Sequence, residues 1–293
     1  MNIPPSKLDD AKTIMLVGIG GGFDVFTGLP FVFAFPDKNF VLVNSSPKDL
    51  FLFRKTNKND YPESEIEARP NILEKYTVAR NGVGAVKKAY EAIAVLHPID
   101  LILSVDGGVD SLAIGNEENP GTILEDFIGL AALKSLPYPK IHCCAGFGTE
   151  TEEDVNHYRI LENIAAITAE DGFLGSFSLT KQMPEFAEYV AACEKTWEGK
   201  RKSHIQTKII SAAKGGFKNN LYSEVDARVF QDTGVCFVSP LSSIYWLFDF
   251  DAVARRNQAL EMLSKGNTLV DCKLLLKEFL KGPKVRDKRT LPL

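Results

Sequence analysis

Three short apolar runs in this chain stop in the same way, on glycine and an acid: "TIMLVGIGGGFD" (13–24), "IDLILSVDGGVD" (99–110) and "KIHCCAGFGTE" (140–150). An apolar run this short, halted by glycine, reads as a strand covered on both faces. Segments with helical spacing of apolar residues follow at 83–98, 121–136 and 151–172. Strands and helices alternating at this interval imply βαβ units, hence a mostly parallel sheet with right-handed crossovers.

The remaining pattern fills in that frame. "FVLVNSS" (40–46) and "KYTVAR" (75–80) read as two further strands. Asp24 to Phe35 forms a short helix limited by Pro30. The charged stretch 57–70 reads as a surface excursion, 171–180 either as small residues set against a ligand or as a packed loop, and 181–199 and 203–216 as helices. Residues 234–266 hold a strand and then a long helical stretch, with the aromatic run "IYWLFDF" (244–250) as core. The fold class expected is α/β, a Rossmann-like three-layer sandwich with a mostly parallel central sheet and additional C-terminal helices. No repeat or linker marks a boundary, so residues 1–293 are read as a single domain.

Composition removes several classes of function. A net charge of -4 supplies no broad basic field for nucleic acid, and the clusters "KRK" (200–202) and "KVRDKR" (284–289) read as solvated ends, with local contact to phosphates left open. The longest apolar run, Leu29 to Pro36, is far short of the roughly 20 residues that a membrane span needs. The N-terminal stretch lacks a signal-peptide pattern, and a cytoplasmic location is expected. Five cysteines without a C-x-x-C pair argue against a disulfide framework or a thiolate zinc site, and Cys143 and Cys144 read as small core hydrophobes. The histidines at 97, 142, 157 and 204 have no paired metal spacing and read as structural. There is no G-x-S-x-G elbow.

The glycines after the first strand, Gly18, Gly20, Gly21 and Gly22, precede Asp24 at a helix start. Backbone N–H groups there can close on an anion, and a helix start adds partial positive charge, so a phosphate or carboxylate is the natural guest. The dinucleotide fingerprint fails, because its third glycine falls on Phe23 and Asn44 and Ser45 stand where a ribose-binding acid would end the second strand; NAD is disfavoured. No G-K-[ST] follows, which excludes a Walker loop. A loop of the S-adenosylmethionine methyltransferase type stays open.

After the fourth strand, Asp106, Gly107, Gly108, Asp110 and Glu117 follow within about a dozen residues. Such carboxylates can hold magnesium, bind a ribose diol or divide acid and base roles, whereas turn or helix capping accounts for only one of them. Asp106 and Asp110 are the expected metal ligands, and Glu117 or Glu150 the expected general base. In the usual strand order 3-2-1-4-5 the first and fourth strands are neighbours, and their C-terminal ends form the crevice where open α/β sheets bind ligands. Gly146, Gly148 and Glu150 add to the same rim from the fifth strand. "RNGVG" (80–84) offers Arg80 as a cation.

"VGIGGGFDV", "VDGGVDSLAIGNE", "GFGTE" and "SSIYWLFDFDAVARRN", in that order, resemble domain-of-unknown-function family 1152. The resemblance implies a Rossmann-like unit with Gly20, Gly21, Gly22, Asp24, Asp106, Asp110 and Glu117 gathered at one site, and no established activity. Phe23 stands where the family pattern favours a further glycine. The expected activity is hydrolysis of, or group transfer on, a nucleotide or other phosphorylated small molecule with Mg2+. A non-catalytic nucleotide- or metabolite-binding module is the alternative, and either is compatible with a homo-oligomer.

Overall fold

The computed structural model describes residues 6–47, 51–150, 154–198, 202–217 and 238–291. Cys236, the start of the helix read at 151 and the first two residues of "KRK" lie outside them. Eight strands form one sheet: β1 (Thr13–Gly18), β2 (Asn39–Ser46), β3 (Phe53–Lys55), β4 (Ile72–Ala79), β5 (Leu101–Gly107), β6 (Lys140–Ala145), β7 (Phe173–Ser178) and β8 (Ile244–Asp249). Their spatial order is β3-β4-β2-β1-β5-β6-β8-β7. The run β4-β2-β1-β5-β6 is parallel throughout and is the 3-2-1-4-5 order read from the sequence. Both outer additions are antiparallel pairings, β3 on β4 and β8 on β6, with β7 closing the edge against β8.

Among the described residues the helices, in chain order, are α1 (Ser6–Asp10), α2 (Asp24–Thr27), α3 (Leu29–Ala34), α4 (Val83–Leu96), α5 (Ile123–Lys134), α6 (His157–Ala169), α7 (Pro184–Trp197), α8 (His204–Ala213), α9 (Phe250–Arg256), α10 (Leu260–Leu263) and α11 (Leu269–Phe279). Successive residues of a strand point to opposite faces, so a run buried on both sides needs two separate helix layers. Met15 and Val17 of β1 enter one apolar cluster with Tyr90, Phe127, Ile164 and Val253, from α4, α5, α6 and α9. Ile14 and Leu16 enter the other, with Phe26, Phe31, Tyr189 and Ile209 from α2, α3, α7 and α8. The molecule is the Rossmann-like α/β sandwich that the alternation implied.

Two expectations need correction, and a third is narrowed. The segment 171–180 is not a loop, because Phe173–Ser178 forms β7, the edge strand that covers β8. The charges of the surface stretch 57–70 are not all solvated: Asp60 and Glu63 are buried, Asp60 against Arg54 and Glu63 under Thr77 and Asn44, while Asn57, Lys58, Asn59 and Glu67 are exposed. The helix read over 24–35 is two short helices meeting at Gly28, since Pro30 in the first turn of the second has no N–H to continue the first.

Helix α5 crosses the end of β1 so closely that a Cβ on Gly129 would lie 2.7 Å from Cβ of Ile19. Its neighbour one turn earlier, Asp126, is thereby set beside the glycine loop. Gly129→Val is expected to force α5 outward and cost about 1–3 kcal/mol, the usual range for overpacking. Urea unfolding checks this, and an unchanged midpoint would refute the close approach.

Candidate functional site

Parallel pairing brings the C-terminal ends of β1 and β5 level, with Gly18 opposite Val105, and Ile19 N–H extends the ladder to the Val105 carbonyl at 3.1 Å. Beyond these ends opens a cleft of about 390 Å³, within the range of small-molecule sites. Its walls carry six carboxylates, Asp24, Asp106, Asp110, Glu125, Asp126 and Glu150; Arg80 is the one basic side chain lining it among the described residues.

The glycine loop is organised by its own aspartate. Asp24 Oδ2 accepts the Gly20 N–H at 2.7 Å and Oδ1 accepts the Gly107 N–H at 3.2 Å, so one carboxylate joins the loops after β1 and β5. Gly21, at φ +83°, turns the chain there, and a Cβ would run into the Ser45 carbonyl at 2.8 Å. The Gly20 and Gly107 N–H groups therefore face a protein anion, the Asp24 carboxylate.

Among the described residues, carboxylate oxygens of Asp24, Asp106 and Asp126 lie within 4.8 Å of one another. They arrive from three elements: the start of α2, the end of β5 and the first turn of α5. Burial, then the charge of Asp106, holds the Asp24 carboxyl well above the usual carboxylate range, against the two backbone hydrogen bonds that oppose it. Asp126 is pushed up in the same way by burial, and then by Asp110, Asp106, Asp24 and Glu150. A site of carboxylate oxygens that repel one another in this way is the donor set that a hard divalent cation neutralises.

The sequence candidates divide. Asp106, buried, enters the group of three as expected. Asp110 lines the cleft beside it but caps α5, its Oδ2 taking the Thr122 N–H at 2.8 Å; it is the acid that capping explains. Asp110 thus stands outside the group of three, in which Asp106 meets Asp24 and Asp126. Glu150 reaches the cleft from the turn after β6 and is oriented by the Val109 N–H at 2.7 Å. Its carboxylate covers Gly108, where a Cβ would overlap it at 2.5 Å.

Glu117 is not brought to the cleft. Its oxygens take the Ile114 and Gly115 N–H groups, both at 2.9 Å, the Asn163 amide and the Arg286 guanidinium, the last at 2.5 Å. The expected base role for Glu117 therefore falls, and within "KVRDKR", whose other residues are exposed, Arg286 forms a clasp that also holds Glu162 and Asn116. Gly18 serves packing, with a Cβ there standing 2.6 Å from the Val25 nitrogen. Of the loop glycines, Gly20, Gly21 and Gly107 line the cleft. Gly22 instead gives its carbonyl to Asn44, and Gly146 opens the turn closed by Thr149. Gly148 lines a separate cavity beside His157.

Asp126 was the residue that strand-end motifs could not reveal. Its signal is the helical stripe: Asp126 shares a face with Ile123, Leu130 and Leu133, all buried, and an acid on such a stripe needs a partner or a function.

This is an α/β sandwich with an acidic cleft at the carboxyl ends of its central strands. The family model described as "Protein of unknown function (DUF1152)" matches residues 74–280, more than half of the chain, and the chain belongs to that family. The matched span includes Arg80, Asp106, Asp110, Asp126 and Glu150, while the glycine loop and Asp24 precede it. No curated protein matches the chain. No helix among the described residues is long and apolar enough to cross a membrane.

The cluster makes a prediction about pH. Because Asp24 and Asp126 have raised pKa values in the fold, the folded protein keeps protons that the unfolded chain releases near pH 4. Stability of the protein in EDTA should therefore fall as pH rises from about 4 through those folded values, by about 1.4 kcal/mol per pH unit for each proton involved. Depressed groups such as Asp249 and Asp271 give the opposite slope, but at lower pH and equally in any cleft variant. Asp126→Asn should flatten the decline and be more stable than wild type at pH 7. Denaturant unfolding at pH 4 and 7 measures both, and equal declines would contradict the clustering.

Proposed function

We propose that this protein is an enzyme that binds a divalent cation, Mg2+, between Asp24, Asp106 and Asp126 and acts there on a phosphorylated small molecule, a nucleotide among the candidates, by hydrolysis or group transfer. The observation that carries the reading is the meeting of three carboxylates from three elements within 4.8 Å in an open cleft. Oxygen donors alone suit Mg2+, which keeps part of its own shell for water and substrate phosphate. A bound cation supplies charge neutralisation for the phosphate and lowers the pKa of coordinated water.

The chain's own groups supply the rest. Arg80 lies over the glycine loop, its Nη2 3.4 Å from the Gly20 carbonyl and its Nη1 3.7 Å from Glu125. Its Nε is buried without a hydrogen-bond partner. A guanidinium held this loosely has donors to offer a phosphate oxygen, and its fork geometry suits one. Glu150, oriented by Val109, is the group proposed to accept a proton from the attacking water or hydroxyl. Glycine backbone at 20, 21 and 107 leaves room for the substrate to approach the carboxylates.

Thermal unfolding in MgCl2, in ADP with EDTA and in both together tests the reading. MgCl2 should raise Tm, and ADP should add to it only when MgCl2 is present. A ligand at 100 times its Kd adds about 2.7 kcal/mol, or several degrees in a protein of this size. Asp106→Asn should lose both responses. Stabilisation by ADP in EDTA, or a variant that responds as wild type does, would count against a cation-mediated site.

A further inference from the structure

We propose that His142 is a positioning residue for the cleft: through Ser111 it fixes which edge of the Asp106 carboxylate faces outward. The proposal rests on the reading of Asp106 as a cation ligand and adds a buried support that the cleft itself does not reveal. His142 lies on β6, in register with Ser104 of β5. Ser104, His142 and Ser111 are wholly buried, and Asp106 is 2% exposed.

The contacts form one chain from the sheet interior to the cleft. Ser104 Oγ is 2.9 Å from His142 Nδ1, and His142 Nε2 is 3.0 Å from Ser111 Oγ. Ser111 gives Asp106 Oδ2 both its hydroxyl, at 2.5 Å, and its N–H, at 3.3 Å. Cys144 Sγ flanks the chain, 3.1 Å from Nε2 and 3.3 Å from Ser111 Oγ.

Hydrogen counting gives the chain a direction. Burial pushes the imidazole down to about 3, so the ring is neutral and carries one N–H. With the single hydrogen of the Ser111 hydroxyl given to the Asp106 carboxylate, the oxygen accepts from Nε2–H, and the Cys144 thiol hydrogen is not needed in the chain. Nδ1 is then bare and takes the Ser104 hydroxyl. The opposite tautomer has an equally ready geometry, with Nδ1–H given to Ser104 and the Ser104 hydroxyl turned to the Ile141 carbonyl at 3.2 Å. That arrangement would turn the Ser111 hydroxyl toward Nε2 and away from the carboxylate. The tautomer of His142 thus reports whether the chain supports Asp106. Outer partners that orient metal-ligating groups in this way are typically worth 10–100-fold in metal affinity.

Nitrogen-15 NMR of the histidine-labelled full chain at neutral pH in MgCl2 reads the tautomer directly, with His142 assigned by the signal lost in His142→Gln. Expected is a protonated Nε2 and a bare Nδ1; an Nδ1–H tautomer overturns the proposal. Titration with MnCl2 gives the second arm. Ser111→Ala and His142→Leu should weaken Mn2+ binding 10–100-fold, while His142→Gln, whose amide N–H can replace Nε2–H, should recover most of it. Folded Ser111→Ala with wild-type affinity would also overturn it, whereas a role in packing alone would lower Tm and leave affinity unmoved. If wild-type protein binds no Mn2+, the cation reading fails and the tautomer by itself decides the role of His142.

Discussion

A single carboxylate joins the two central strands of this protein at their working ends. Asp24 takes one N–H from the loop after β1 and another from the loop after β5. The remaining geometry depends on that junction. With both loops drawn onto one anion, Asp106 is carried to the same spot by β5, and α5, packed against Ile19, delivers Asp126 from the side. The glycines permit this convergence, because side chains at 20 and 107 would collide with Asp24 itself, at 2.8 and 3.0 Å.

The price of that arrangement is electrostatic. Three carboxylates in a partly dehydrated cleft repel one another, and the fold tolerates them because the surrounding layers are continuous apolar cores on both faces of the sheet. Functional sites commonly hold strain of this sort at the expense of global stability. Removing a charge and retaining the shape therefore separates what the cluster does for folding from what it does for a ligand.

Much of this was readable in the residues. Three of the five parallel strands followed from apolar runs stopped by glycine and an acid, and the order is the usual doubly wound one expected of such units. What escaped reading has particular causes. Gly175 and two serines interrupt β7, so its run lacks the apolar density of a strand, and only pairing with β8 reveals it. Glu117 sits at the right distance in sequence but beyond a turn at Gly115, whose φ of +98° sends the chain away from the cleft. Asp126 lies on a helix, where spacing along strand ends carries no information. Asp60 and Glu63 looked solvated because charge runs usually are, yet the half-buried Arg54 pairs with Asp60, and Asn44 and Thr77 are buried partners of Glu63.

The clasp formed by the C-terminal tail has a wider reach than its position suggests. Arg286 grips Glu117 and Asn163, the Lys288 N–H meets Glu118, and Arg159 holds the Asp287 carbonyl. The segment so clasped begins immediately after the turn that carries Asp110 and runs on toward Thr122 and α5. Tail and cleft thus share one mechanical frame: a fusion or deletion at residues 284–289 acts on the seating of Asp110 and Asp126 from the far side, as loosening a guy-rope shifts the pole it steadies.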